Sequence, residues 1–117
     1  SFVDKNEKKI GILCSEKCRN LNLYKPFLEE NGQKLIYPSF EVQQVINHCI
    51  NSVIQNDNDK KFKQLVDVSL YSLFEQNVDS VILGCTELSI IKPAKMNRNL
   101  YDSVELLAIF LNQHFKE

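Results

Sequence analysis

At 117 residues, with 44% hydrophobic and 25% charged side chains, the chain has the make-up of a single ordinary globular domain. A formal net charge of −1 leaves no basic footprint for nucleic acid or an anionic membrane surface. No apolar run approaches the roughly 20 residues that cross a bilayer, and the charged start lacks the apolar segment of a secretion signal, so a cytoplasmic setting is expected.

The chain starts at Ser1, and its one methionine is Met96. Ser1 is therefore expected to be a cut or processed end of a longer product. Residues 1–8 read as a polar leader or an artificial boundary, and the domain proper is expected over 9–117. The run Lys9-Ile-Gly-Ile-Leu-Cys14 reads as a buried strand. A polar loop over 15–20 is expected next, then a helix over 23–30, with Pro26 tolerated only in its first turn. Asn31-Gly32 supplies a left-handed stop.

Lys34-Leu-Ile-Tyr37 reads as a second strand, closed by Pro38. Over 41–55, Val42, Val45, Ile46, Cys49, Ile50, Val53 and Ile54 recur at steps of three and one, which predicts an amphipathic helix. The turn 56–59 leads to another helix over 60–76, burying Phe62, Leu65, Val66, Ser69, Leu70 and Leu73. The continuous apolar run in 79–84 predicts a strand covered on both faces. A short fourth strand is expected at 99–101. Asp102-Ser-Val-Glu105 has the capping-box pattern and opens a last helix, with Asp102 as its N-cap. That helix carries two apolar stripes, one through Val104, Leu107, Ala108, Leu111 and Phe115 and one through Leu106, Ile109 and Phe110. Strands alternating with helices predict an α/β fold, a three-layer α/β/α sandwich on a short parallel sheet of about four strands.

The four cysteines are Cys14, Cys18, Cys49 and Cys85. With no secretion signal, reduced thiols are expected. A zinc set drawn from Cys14, Cys18, His48 and Cys49 is disfavoured: the first pair is spaced C-x3-C, and adjacent residues on a helix point apart. Cys14 and Cys49 read better as small core residues. His48 and His114 have no recognisable partner, and no metal site is expected.

In open parallel α/β sheets ligands bind beyond the carboxyl ends of the strands. The segments 15–20, 38–41 and Gly84-Cys85-Thr86-Glu87 fall there. The last is the most pointed: Gly84 permits a close approach, and Cys85 stands where a helix dipole and free amides favour a thiolate.

Val81-Ile-Leu-Gly-Cys-Thr-Glu-Leu88 resembles the second-cysteine motif of the aspartate/glutamate racemase superfamily. Other landmarks are similar in order and spacing: Gly11 to Cys18 through Tyr24, Pro38 with Glu41 and Gln43, and Tyr101-Asp-Ser-Val-Glu-Leu-Leu-Ala108. The resemblance implies one half of a two-domain racemase fold, its second or C-terminal domain. It also implies racemisation of a small acidic amino acid by two opposed thiols, with no cofactor and no metal. On that reading Cys85 is a catalytic acid/base, Thr86 grips the α-carboxylate, Glu87 orients the amino group or the site, and Ser15 lines the pocket. Three departures stand out. The family's first-domain Cys-Asn-Thr motif is absent, Ser15-Glu-Lys-Cys18 replaces a Thr-x-Gly-Thr pattern, and the helix ending near Gln55 lacks a lysine found in some members. The expected partner is a second copy of the chain in a homodimer, or a missing N-terminal racemase domain. The alternative is an inactive racemase-like domain serving binding or assembly.

Overall fold

The computed structural model describes residues 6–91 and 99–102. Among these the elements run β1 Lys9–Leu13, α1 Glu16–Leu21, α2 Tyr24–Glu30, β2 Lys34–Ile36, α3 Phe40–Ile54, α4 Lys61–Phe74, β3 Ser80–Leu83, α5 Thr86–Ile91 and β4 Asn99–Asp102. The four strands form one parallel sheet in the order β2-β1-β3-β4. Leu13 pairs with Leu83, and Leu83 in turn with Asp102, so the ends of β1, β3 and β4 lie level.

Alternation along the buried strands sends side chains into two separate cores. Leu13, Val81 and Leu83 pack on one face with Ile46, Cys49, Val66, Leu70, Leu73 and Leu88 from α3, α4 and α5. Ile10, Ile12, Cys14 and Ile82 pack on the other with Leu28 of α2, and Cys18 and Tyr24 close against them. Helices on both faces of a parallel sheet make the three-layer α/β/α architecture. Each fully buried leucine or isoleucine here contributes on the order of 2 kcal/mol by leaving water.

Most boundaries follow the sequence pattern. Pro26 lies in the first turn of α2, where its missing N–H costs nothing, and Gly32 takes φ +75° just past that helix. Ser39 caps α3, its hydroxyl accepting from the Val42 amide at 3.3 Å. The segment expected to be a polar loop after β1 is instead α1. Ser15 caps it by accepting from the Cys18 amide at 3.1 Å, Glu16 sits in its first turn, and Asn22 at φ 55° stops it. The expected last helix, with its capping box, its two stripes and His114, lies outside the described residues. Among those described, no helix is long and apolar enough to cross a membrane.

Candidate functional site

The carboxyl edge of the sheet brings together the three segments singled out by sequence. Cys85, Thr86 and Glu87 occupy the turn from β3 into α5, and Ser15 follows the neighbouring end of β1. Pro38 and Ser39 follow β2, one strand further out.

The turn after β3 is tight because Gly84 leaves room for its neighbour. A Cβ built there would lie 3.1 Å from Cys14 Cβ and 3.1 Å from Ile12 Cδ1. The Gly84 amide donates to the Leu13 carbonyl at 2.8 Å, extending the ladder by one rung and fixing where Cys85 begins. Cys85 is partly buried against the core shared with α3 and α4. Its sulfur feels opposed influences. Burial raises its pKa, while the amides of Glu87 and Leu88 favour the thiolate and the Glu87 carboxylate disfavours it. The net direction is upward. Amides do face the thiol as the helix-start argument expects, but desolvation outweighs them.

Thr86 is exposed and donates its hydroxyl to Glu87 Oε2 at 2.5 Å. That bond is the first cause of the lowered pKa of Glu87, which is thereby held as a carboxylate beside the thiol. Ser15 spends its oxygen on the α1 cap and keeps its proton to donate. Asp102, at the end of β4, is buried and accepts from Ser89 Oγ of α5 at 2.9 Å, which ties α5 to the edge of the sheet. Its expected N-cap role concerns residues beyond those described.

Cys14 is 1% exposed, and burial raises its pKa, with the adjacent thiol of Cys18 adding to the shift. Cys49 lies in the opposite core, where burial lifts its pKa to about 11. Cys14 and Cys49 are thus separated by the sheet, and His48 is exposed. Among the described residues no three His, Cys, Asp or Glu side chains converge as metal ligands.

Sequence reasoning passed over Arg19. Its Nη1 donates to the Pro38 carbonyl at 2.9 Å and to Gln43 Oε1 at 3.4 Å, and the guanidinium lies 5.1 Å from the centre of the Tyr37 ring. The Tyr37 hydroxyl in turn bonds the Asn22 side chain. Gln43, 3% exposed, donates Nε2 to the Cys14 carbonyl at 2.8 Å and to Asn47 Oδ1 at 3.0 Å. The signal in the sequence was slight: a buried glutamine on an otherwise apolar helix face, within reach of a basic residue only once β1 and β2 are paired.

Known proteins bear on this arrangement. Residues 3–110 match the family model for Asp/Glu/Hydantoin racemase. The fold is similar to that of a protein from Yersinia pestis assigned as an Asp/Glu racemase (TM-score 0.85, 20% identity), covering 97% of this chain and 50% of that one. It is similar to an aspartate racemase homologue from Pyrococcus horikoshii OT3 (TM-score 0.80, 23% identity), again covering 97% and 50%. A Picrophilus torridus aspartate racemase gives a TM-score of 0.74 at 25% identity, covering 93% of this chain and 46% of that one. No curated protein gives a significant sequence match. The chain spans about half the length of the solved structures it resembles. Since the family model covers nearly all of the sequence and the parallel sheet agrees with these structures, the chain belongs to the Asp/Glu/Hydantoin racemase family.

Proposed function

We propose that this chain is the C-terminal half of a cofactor-independent racemase of acidic amino acids, with Cys85 as one of its two acid/base thiols. The observation that carries the reading is the turn after β3, where a partly buried thiol stands against two backbone amides and a carboxylate at the ligand-binding edge of the sheet. Racemisation without a cofactor needs two opposed groups, because a single base returns the proton to the face it left. A thiolate on one face takes the α-proton while a thiol on the other gives one up, and the two exchange roles in the reverse direction. Burial holds Cys85 on the thiol side, which suits it to be the donor in one direction. The α-proton beside a carboxylate is very weakly acidic, so donors must stabilise the developing negative charge. Thr86 and its amide supply that grip, Ser15 offers its hydroxyl proton from the next strand end, and Glu87 orients the substrate ammonium. The second thiol comes from another half, either a preceding domain of a longer chain or a second copy in a homodimer. Four free thiols suit a reduced, cytoplasmic setting.

A second reading, a domain kept for binding or assembly, draws on one observation: the Thr86 hydroxyl is already spent on the Glu87 carboxylate. Deuterium incorporation at the α-carbon of L- and D-aspartate in heavy water separates the two. Exchange with inversion that falls about 10²- to 10⁴-fold in Cys85→Ser is the expected result, since that is the usual worth of a positioned acid/base. No exchange from a well-folded sample, even with the complementary half supplied, leaves the binding role.

A further inference from the structure

Among the described residues, Arg19 is a cation with no partner of opposite charge. It lies in the last turn of α1, partly buried, and both of its hydrogen bonds leave from Nη1 to neutral oxygens. Among the described residues the one ion pair joins Lys25 to Glu29, so no carboxylate there pairs with Arg19, and its Nε and Nη2 have no acceptor. Drawing a guanidinium partly out of water against neutral groups is costly, and a carboxylate arriving from outside offsets that cost with two parallel bonds.

The group is also held in place. Tyr37 lies beneath it, Pro38 anchors Nη1, and Gln43 is fixed by its own bonds to Cys14 and Asn47. Its charge is felt at both Cys14 and Tyr37, where it favours the ionised form, so it acts on the strand ends and not only on solvent. Position fits as well. Arg19 is anchored beyond the end of β2 and Cys85 stands beyond the end of β3, with β1 between them. Two strand spacings are about 10 Å. A reacting carbon against the thiol takes about 3.5 Å of that and a guanidinium–carboxylate bond about 2.8 Å, which leaves the length of a short acidic side chain.

We propose that Arg19 determines specificity by receiving the side-chain carboxylate of an acidic amino acid whose α-carbon sits at Cys85. The inference rests on the racemase reading above, and the experiment lets each fail by itself. L-Aspartate and L-alanine are titrated by calorimetry into the chain and its Arg19→Met and Arg19→Lys variants, with the α-deuterium exchange of each amino acid measured in parallel. In Arg19→Met, aspartate affinity is expected to fall about ten- to hundredfold, the usual worth of a charge-assisted bond. Alanine affinity is expected to stay within about twofold. Arg19→Lys falls between, because an ammonium restores the charge without the planar fork. The ¹⁵Nε signal of Arg19 shifts with aspartate and not with alanine.

An unchanged aspartate-to-alanine ratio in Arg19→Met overturns the proposal. So does an equal loss for both ligands, which marks a structural role, and so does a wild-type chain that binds neither. Arg19-dependent aspartate binding without any exchange, even with the complementary half supplied, keeps the anion site and removes the racemase. Exchange that ignores Arg19 keeps the racemase and removes this role.

Discussion

Two neighbouring strand ends each present a thiol to a short helix. Cys14 follows β1 and leads through the Ser15 cap into α1, while Cys85 follows Gly84 after β3 and leads straight into α5. The strands are adjacent and their last residues are paired, so the two cysteines start from almost the same place. Cys14 turns into the core, 1% exposed and next to Cys18. Cys85 stays at the edge with two amides and a carboxylate around it. The difference shows that two cysteines leaving paired strand ends can meet quite different surroundings. What separates them is which polar groups the next turn brings to the sulfur, and Gly84 allows the two to sit so close.

The largest effect expected from that contrast is in thiol reactivity. Iodoacetamide should modify Cys85 in the folded chain at least about a hundredfold faster than Cys14, which waits on local unfolding. Peptide mass mapping against time reads both rates in one sample. Comparable rates would mean that the burial of Cys14 is transient and the contrast between the strand ends is lost.

Filling the gap between the strand ends should come next. Gly84→Ala puts a methyl 3.1 Å from Cys14 Cβ, an atom fixed to the backbone that cannot swing away. Overpacking of that kind costs about 1–3 kcal/mol, seen as a lower urea midpoint with an unchanged slope.

The architecture was readable from sequence because β1 and β3, the two central strands, hold continuous apolar runs and each long helix carries an apolar stripe. The turn after β3 was readable because glycine, thiol, hydroxyl and carboxylate follow one another without a gap. Helix α1 was not readable. Its six residues, Glu16 to Leu21, hold no buried side chain, so there is no stripe to find, and only the Ser15 cap and the acidic first residue marked it. Arg19 escaped notice because its partners Tyr37, Pro38 and Gln43 lie about 20 residues further along the chain and meet it only in the fold. The state of Cys85 also escaped, because the balance between burial and amides depends on packing that a motif does not encode.

A smaller effect concerns pH. Cys49 holds its proton to about 11 in the folded chain against an ordinary 9.0, and Cys14 is shifted in the same direction. A raised folded pKa means stability that is complete below about pH 9, where both states keep the proton, and is lost as pH rises toward the folded value. From about pH 8 to about pH 10 the loss from Cys49 alone should be about 1 kcal/mol. Urea titrations at the two pH values check it. Cys49→Ala should remove part of the difference, and an undiminished difference in that variant would place the titrating group elsewhere.

Ser15 offers the finest test, because it has two candidate roles at one strand end. As the cap of α1 it accepts from the Cys18 amide, and Ser15→Ala should cost about 1 kcal/mol in a urea titration. Aspartate caps as well as serine but offers a carboxylate in place of a hydroxyl donor. Ser15→Asp should therefore regain the stability lost in Ser15→Ala. If the hydroxyl also donates to a substrate carboxylate, Ser15→Asp should still bind L-aspartate more weakly than the parent chain, by an unpaired donor and a repelling charge. Stability and binding restored together would leave Ser15 as a cap alone. Stability restored without binding would make the end of β1 part of the site, joined to the Cys85 turn across a single pair of strands.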